Sequence, residues 1–303
     1  MQIYLPIAEM SVAVEAVMTL GITVGFLSGV FGIGGGFLTT PLLIFMGIPS
    51  SVAVGTQANQ LVAASSSGAI GHWRRGNVDY KIGFVILAGG ICGSMVGIMI
   101  FRLLKYLGQI DFAISLLYMV LLGTIGSLML LESVGAAFKK KTMSSEFNKF
   151  RVRPWMAALP YKMRFPHSEL YISALVPMGI GFFGGIMSAI LGIGGGFMLV
   201  PAMIYILGMP GVLAAGTSLF QIIFTTAFST LMHAGLNHNV DVLLAAMLIC
   251  GSVVGAQFGI RVGRHVKGLY ARVTLALLIL AVSVSLVFKL FKMPAELFST
   301  VPL

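Results

Sequence analysis

The sequence predicts an all-α, polytopic membrane protein built as an inverted repeat of two five-segment halves. Three observations predict it. Hydrophobic residues make up 58% of the 303 and charged residues only 9%, and mean hydropathy is +1.00, a balance that a soluble domain of this length cannot sustain. Apolar runs and their breakers divide the chain into ten helical segments. One glycine-rich phrase is also written twice, as "GVFGIGGGFLTTPLLIFMGIP" from Gly29 and as "AILGIGGGFMLVPAMIYILGMP" from Ala189.

Segments 12–31, 36–47, 51–71, 80–101 and 111–131 form the first half, and 171–191, 196–207, 212–233, 241–261 and 272–291 form the second. Eight of them are about long enough to span a hydrocarbon core of roughly 30 Å. The exceptions, 36–47 and 196–207, have about twelve residues each, reach about 18 Å as ideal helices, and carry Pro41 and Pro201 inside. They read as short broken or re-entrant helices following the GIGGG clusters, each either crossing or turning back with the segment before it. A first transmembrane repeat at 1–134, a basic cytoplasmic linker at 135–170 and a second, inverted repeat at 171–303 follow as the domain organisation.

The correspondence extends beyond the glycines. Pro41 matches Pro201, "AVGTQANQ" from Ala53 matches "AAGTSLFQ" from Ala214, and His72 matches His233. "NVD" recurs at Asn77 and Asn239, and "CGSMVG" at Cys92 recurs as "CGSVVG" at Cys250. An odd number of segments per half turns the second half over, and the distribution of Lys and Arg tests that independently. With the linker cytoplasmic, its side collects fifteen cations, and the other side keeps Arg102, Lys105, Lys289 and Lys292. The equivalent loops differ most: "HWRRGNVDYK" is basic, whereas "HAGLNHNVD" has no Lys or Arg.

The glycine clusters are not nucleotide loops. GxGxxG would need glycine at Phe37, and GxxxxGK[ST] finds no lysine. Instead, paired glycine breaks beside short segments point to a carrier's central site. Each cluster opens a half-helix whose first N–H groups lack internal partners and present about half a positive charge. Gly34, Gly35 and Gly36, with Gly194, Gly195 and Gly196, let a small anion approach those amides directly. The glycines Gly89, Gly93 and Gly97, repeated as Gly251, Gly255 and Gly259, have i, i+4 spacing and read as packing faces.

No Lys, Arg or carboxylate lies near the centre of a segment, so neutral groups must complete the site. Thr56, Gln57, Asn59 and Gln60 on the third segment, with Thr217, Ser218 and Gln221 on the eighth, are the substrate-binding candidates. Interhelical hydrogen bonding is their competing role, worth about 0.6 kcal/mol each in membranes. His72 and His233 are candidates for proton coupling, although their place beside loops also suits a solvated or capping role. Asp79 and Asp241 each precede an apolar run and read as helix caps. Cys92 and Cys250 lie in apolar runs and form no disulfide framework. No metal cluster and no nucleophile–base–acid trio occurs, so the reading is not an enzyme and needs no metal or cofactor. The chain's net charge is +10, and eight of its nineteen Lys and Arg lie in the linker, where they serve topology and meet anionic headgroups, with no call for nucleic acid.

These motifs resemble the TauE/SafE (TSUP) family of sulfite and organosulfonate transporters, whose members carry glycine-rich repeats of the "GIGGGF…P" kind followed by "GT". The resemblance covers nearly the whole chain, with both repeats present at Gly32–Pro41 and Gly192–Pro201. It implies an inner-membrane, multi-pass secondary carrier that moves sulfite, sulfoacetate or related sulfur-containing anions, often outward. Alternating access would come from the two halves rocking around a midplane site, with protons as a candidate coupling ion and a homodimer as a candidate assembly. An anion channel, or a carrier of small carboxylates, is the alternative.

Overall fold

The computed structural model describes residues 2–31, 36–138, 160–168, 170–263 and 268–291. Ten helices occur among them: α1 Val14–Phe31, α2 Gly36–Phe45, α3 Ser50–Trp73, α4 Tyr80–Tyr106, α5 Ile110–Phe138, α6 Leu175–Leu191, α7 Gly196–Tyr205, α8 Gly211–Met232, α9 Val242–Gly263 and α10 Gly268–Phe291. They fall within a few residues of the ten segments expected, except that α4 and α5 run further toward their C-termini. The protein is a polytopic all-α membrane protein. Four stretches are both long and apolar enough to cross a bilayer, at Tyr80–Tyr106, Ile110–Leu131, Gly211–Asn237 and Val242–Gly259. The sequence reading expected eight by length. The difference at α3 has a physical reason: it carries Thr56, Gln57, Gln60 and Ser65, all buried, so it is shielded by neighbouring helices and need not be apolar.

Two antiparallel hairpins were not anticipated. β1 (Gln2–Leu5) pairs with β2 (Met10–Ala13), and β3 (Lys162–Phe165) pairs with β4 (Leu170–Ser173). Each leads into the first helix of a half. The stretch 162–170 was read as linker, yet β3 is the counterpart of β1 at the same offset of 160 that relates Pro41 to Pro201. Leu5 and Val12 in one hairpin, and Phe165 and Ile172 in the other, are buried. Strands of four residues with a single inward row are too short for a period-2 signal to stand out. Residues 139–159 of the linker lie outside the described residues.

Glycine decides the helix pairing. α1 packs along α9 and α4 along α6, so the most extensive helix contacts join the two halves. At Gly93 a methyl group would overlap the carbonyl oxygen of Phe182, and at Gly255 that of Ile22. Backbone therefore rests on backbone, as small-residue membrane interfaces allow. The packing role expected for Gly89, Gly93, Gly97, Gly251 and Gly255 is what the fold uses them for. α3 packs against α9 and α2, and α8 against α4 and α7, while α3 and α8 pack more extensively against each other than against any of these, so that two four-helix bundles join along the α3–α8 contact. One holds α1, α2, α3 and α9; the other holds α6, α7, α8 and α4. Each half thus lends its fourth helix to the other's bundle, while α5 and α10 pair with each other.

Reciprocal latches fasten the exchanged helices. The Asp79 carboxylate caps α4 by accepting from Ile82 N–H (3.2 Å) and also accepts from the Ser168 hydroxyl (2.6 Å), while its own N–H donates to Thr217 Oγ1 (3.0 Å). Asp241 accepts from Leu243 N–H, Leu244 N–H and Ile7 N–H, and its N–H donates to Thr56 Oγ1 at 3.0 Å. Both aspartates are buried. The expected capping role is therefore present, joined to a cross-half contact on each side.

Candidate functional site

The second glycine cluster is fully described. α6 ends at Gly192 in the left-handed conformation (φ 71°), its N–H donating to Ser188 O at 2.9 Å. Gly194 and Gly195 follow at φ 73° and 75°, a region that costs L-residues roughly 1–2 kcal/mol each, and Gly195 caps α7. The first amides of α7 that find a carbonyl are Met198 (3.0 Å) and Leu199 (2.8 Å), both on Gly195 O. The N–H groups of Gly196 and Phe197 precede them at the positive end of the helix. Gly194, Gly195 and Gly196 are buried. In the first cluster, Gly34 and Gly35 lie outside the described residues, and Gly36 is the buried first residue of α2.

The two half-helices meet. The rings of Phe37 and Phe197, which close the two GIGGGF phrases, stack at 4.5 Å with 14° between their planes. Leu61 touches both breaks, standing against Gly36 and against Gly194. Gln57 holds the start of α2 in place: its Nε2 donates to Gly36 O, and its Oε1 accepts from the Thr40 hydroxyl. Leu191 O, just before the second break, accepts from Tyr118 at 2.5 Å.

The remaining candidates divide by partner. Thr56 and Thr217 serve the latches, and Ser218 donates to Ala215 O on its own helix at 2.9 Å. Each latch threonine uses its oxygen as an acceptor and keeps its O–H to donate. Gln60 and Gln221 differ, because both are buried and each has a side-chain oxygen without a hydrogen-bond partner. Gln60 lines a cavity of about 10 Å³ with Gly36, Leu61, Ser28 and Ser252, room for about one water. Gln221 Nε2 donates to Thr225 Oγ1 at 2.5 Å. An amide turned through 180° presents donors where the oxygen stood. Asn59 is half-buried on α3.

The histidines are not equivalent. The sequence placed both beside solvent, but His233 is fully buried. Its Nε2 faces Ala189 O (2.9 Å), its Nδ1 faces the Asn237 amide (3.0 Å), and Phe101 meets its ring edge-on at 4.8 Å. A carbonyl only accepts, so Nε2 carries a proton. The reason for the burial is that α8 does not stop at His233. It continues into a π-helical turn, His233–Asn237, that folds the ring inward. His72, half-buried at the end of α3, keeps a buried Nδ1 without a partner.

Sequence reasoning missed Phe37 and Phe197, although the phenylalanine ending each repeated GIGGGF was a legible signal. Tyr118 and Thr40 carried none, since single polar groups in apolar runs have no period.

The model of the family described as sulfite exporter TauE/SafE matches residues 17–286. The chain is similar to the probable membrane transporter protein YunE of Bacillus subtilis, with 26% identity over 82% of this chain and 88% of that one. It is similar to the probable membrane transporter protein YjnA of the same organism at 28% identity, covering 80% and 88%. A probable membrane transporter protein of Xylella fastidiosa (strain 9a5c) is 29% identical over 78% of this chain and 79% of its own. No solved structure matches.

Proposed function

The chain belongs to the TauE/SafE family of membrane transporters, and on that premise we propose that it is a secondary carrier of small sulfur-containing anions, sulfite or an organosulfonate, exported across the inner membrane. The observation that supports this reading is the face-to-face meeting of the two half-helix starts at Phe37 and Phe197. Two positive helix ends directed at one place form an anion site without any fixed cation. A site without Lys or Arg releases its anion readily, as a carrier requires.

The exchanged helices set which parts move. Rocking of the two sequence halves would tear the α1–α9 and α4–α6 seams, so the moving bodies are the two four-helix bundles. They part along the α3–α8 contact and the Phe37–Phe197 pair, and their pseudo-twofold relation is supported by the reciprocal latches. Parting the rings exposes the amides of Gly196 and Phe197 with those of the first break, and Gln60 and Gln221 turn donors toward the anion. His233 has both ring nitrogens engaged and holds α8 to α6. His72, with its free Nδ1, is the better candidate for coupling transport to protons. The basic loops at Arg74, Arg75 and the linker face the cytoplasm in this reading.

Thermal stabilisation of the purified full chain tests the substrate class, because a ligand that binds only the folded state raises stability with its concentration, by about 2.7 kcal/mol at a hundred times Kd. Sulfite, sulfoacetate and taurine are expected to raise Tm in that way. Stabilisation by small carboxylates with no response to sulfur oxyanions would overturn the assignment.

A further inference from the structure

A second, separate basic feature lies at the far end of α4. Arg102, Lys105 and Tyr106, from the last turns of that helix, line an open pocket of about 230 Å³ with Leu236 and Asn237 of the π turn. α4 begins beside the "RRGNVD" loop and rises about 40 Å over its 27 residues, so the pocket opens on the opposite membrane face. Its lining holds two cations and no carboxylate.

The local backbone leaves those cations available to a ligand. The final carbonyls of α4, which would otherwise draw positive charge, are occupied: Leu103 O accepts from Leu107 N–H, Leu104 O from Gln109 N–H and Lys105 O from Gly108 N–H. Lys105 Nζ donates to Asn237 O at 3.3 Å, which fixes the ammonium at the pocket wall with two protons still to give. Arg102 supplies a planar fork of donors suited to an oxyanion, and Tyr106 is exposed at the rim. From the same wall, the Asn237 amide reaches His233, which reaches Ala189 O, three residues before the Gly192 break. The pocket is thereby tied to the segment that opens α7.

We propose that this pocket is a surface binding site for a compact oxyanion, either free solute or the phosphate of a lipid headgroup, distinct from the site between the glycine breaks. For an exporter this is the exit face, so a free anion held there is one the carrier has already released.

The test uses the full chain with Cys92 and Cys250 replaced by serine and a single cysteine introduced as Leu236→Cys, labelled with an environment-sensitive fluorophore. Inorganic sulfate is titrated in detergent, and water-soluble dihexanoyl phosphatidylglycerol is titrated separately. A saturable response to either is expected, weakened at least tenfold in Arg102→Gln/Lys105→Gln and unchanged in Lys289→Gln. Saturation by sulfate identifies a solute site, and saturation by the short-chain lipid alone identifies a headgroup site. Linear responses to both, or curves indifferent to the double substitution, would overturn the proposal. Tyr106→Cys carries the same reporter should Leu236→Cys not fold. Because the fluorophore sits at the pocket, failure here leaves the thermal ranking of central-site ligands untouched.

Discussion

The interior of each bundle and the contact between the bundles are built from different materials. Inside, glycine brings α4 onto α6 and α1 onto α9 until main chains touch, and buried aspartates pin the exchanged helices through hydroxyls and amides of the other half. Between the bundles, two phenyl rings stack and Leu61 rests against Gly194, while inside their own bundles Gln60 and Gln221 each keep an unpartnered oxygen. A backbone seam has no rotamers and cannot open by degrees. Rings and amides can turn. On the proposed mechanism, the difference separates what carries load from what moves.

The largest expected effect comes from breaking a seam. Gly93→Ala places a methyl group on the Phe182 carbonyl, and neither backbone can retreat. Overpacking costs about 1–3 kcal/mol where neighbours adjust and more where they do not, so a loss of about 3 kcal/mol or more is expected. It would be read as little monodisperse protein and a much lower Tm. Gly179→Ala, where nothing lies within 4 Å, should behave like the parent chain. If both alanines were equally tolerated, the seam would not be the rigid part.

A latch is next in size. Thr217→Val keeps shape but removes the acceptor of the Asp79 N–H, leaving a buried donor unsatisfied at a cost of about 1–3 kcal/mol. Thr56→Val does the same to Asp241. Because the two latches lie in different bundles, the double variant should lose the sum of the two single losses in thermal or denaturant unfolding. Strong non-additivity would mean that the latches share one cooperative element, and the two-bundle division would have to be redrawn.

Much of this was legible. Ten segments, the short proline-bearing pair and the packing glycines follow from apolar runs and i, i+4 spacing, because those periods are local. The exchange of α4 and α9 was not, since a glycine face declares that it packs closely but not against which helix. Thr56 and Thr217 were candidates for substrate contact, with interhelical hydrogen bonding as the competing role, because a buried hydroxyl looks the same in sequence whether it meets a substrate or a neighbouring N–H. The loss of helical register at His233, which buries that ring, is a main-chain event with no side-chain signature. Gly195 is a further case: the φ of 75° that only glycine adopts readily is a backbone requirement the sequence letter does not distinguish from room for an anion.

The smallest expected effect on stability, and the most telling for function, lies in the ring pair. Phe197→Leu keeps an apolar side chain of similar bulk and loses the stacking with Phe37, about 0.5–1.5 kcal/mol beyond area burial, so the protein should fold with Tm lowered by only a few degrees. If the bundles part at these rings, weakening their contact favours the open arrangement, and each 1.4 kcal/mol shifts that equilibrium about tenfold. Counterflow of sulfite into proteoliposomes should then change in rate by several-fold, although the substitution is among the mildest in the core. The seam and the latches predict the reverse pattern: large losses of stability, with normal turnover in whatever protein survives. Sulfite flux unaltered by Phe197→Leu, in protein shown to be folded, would place the moving surface elsewhere among the described contacts between the bundles, such as α3 against α8, Leu61 against Gly194 or the Thr40 hydroxyl on Leu191 O.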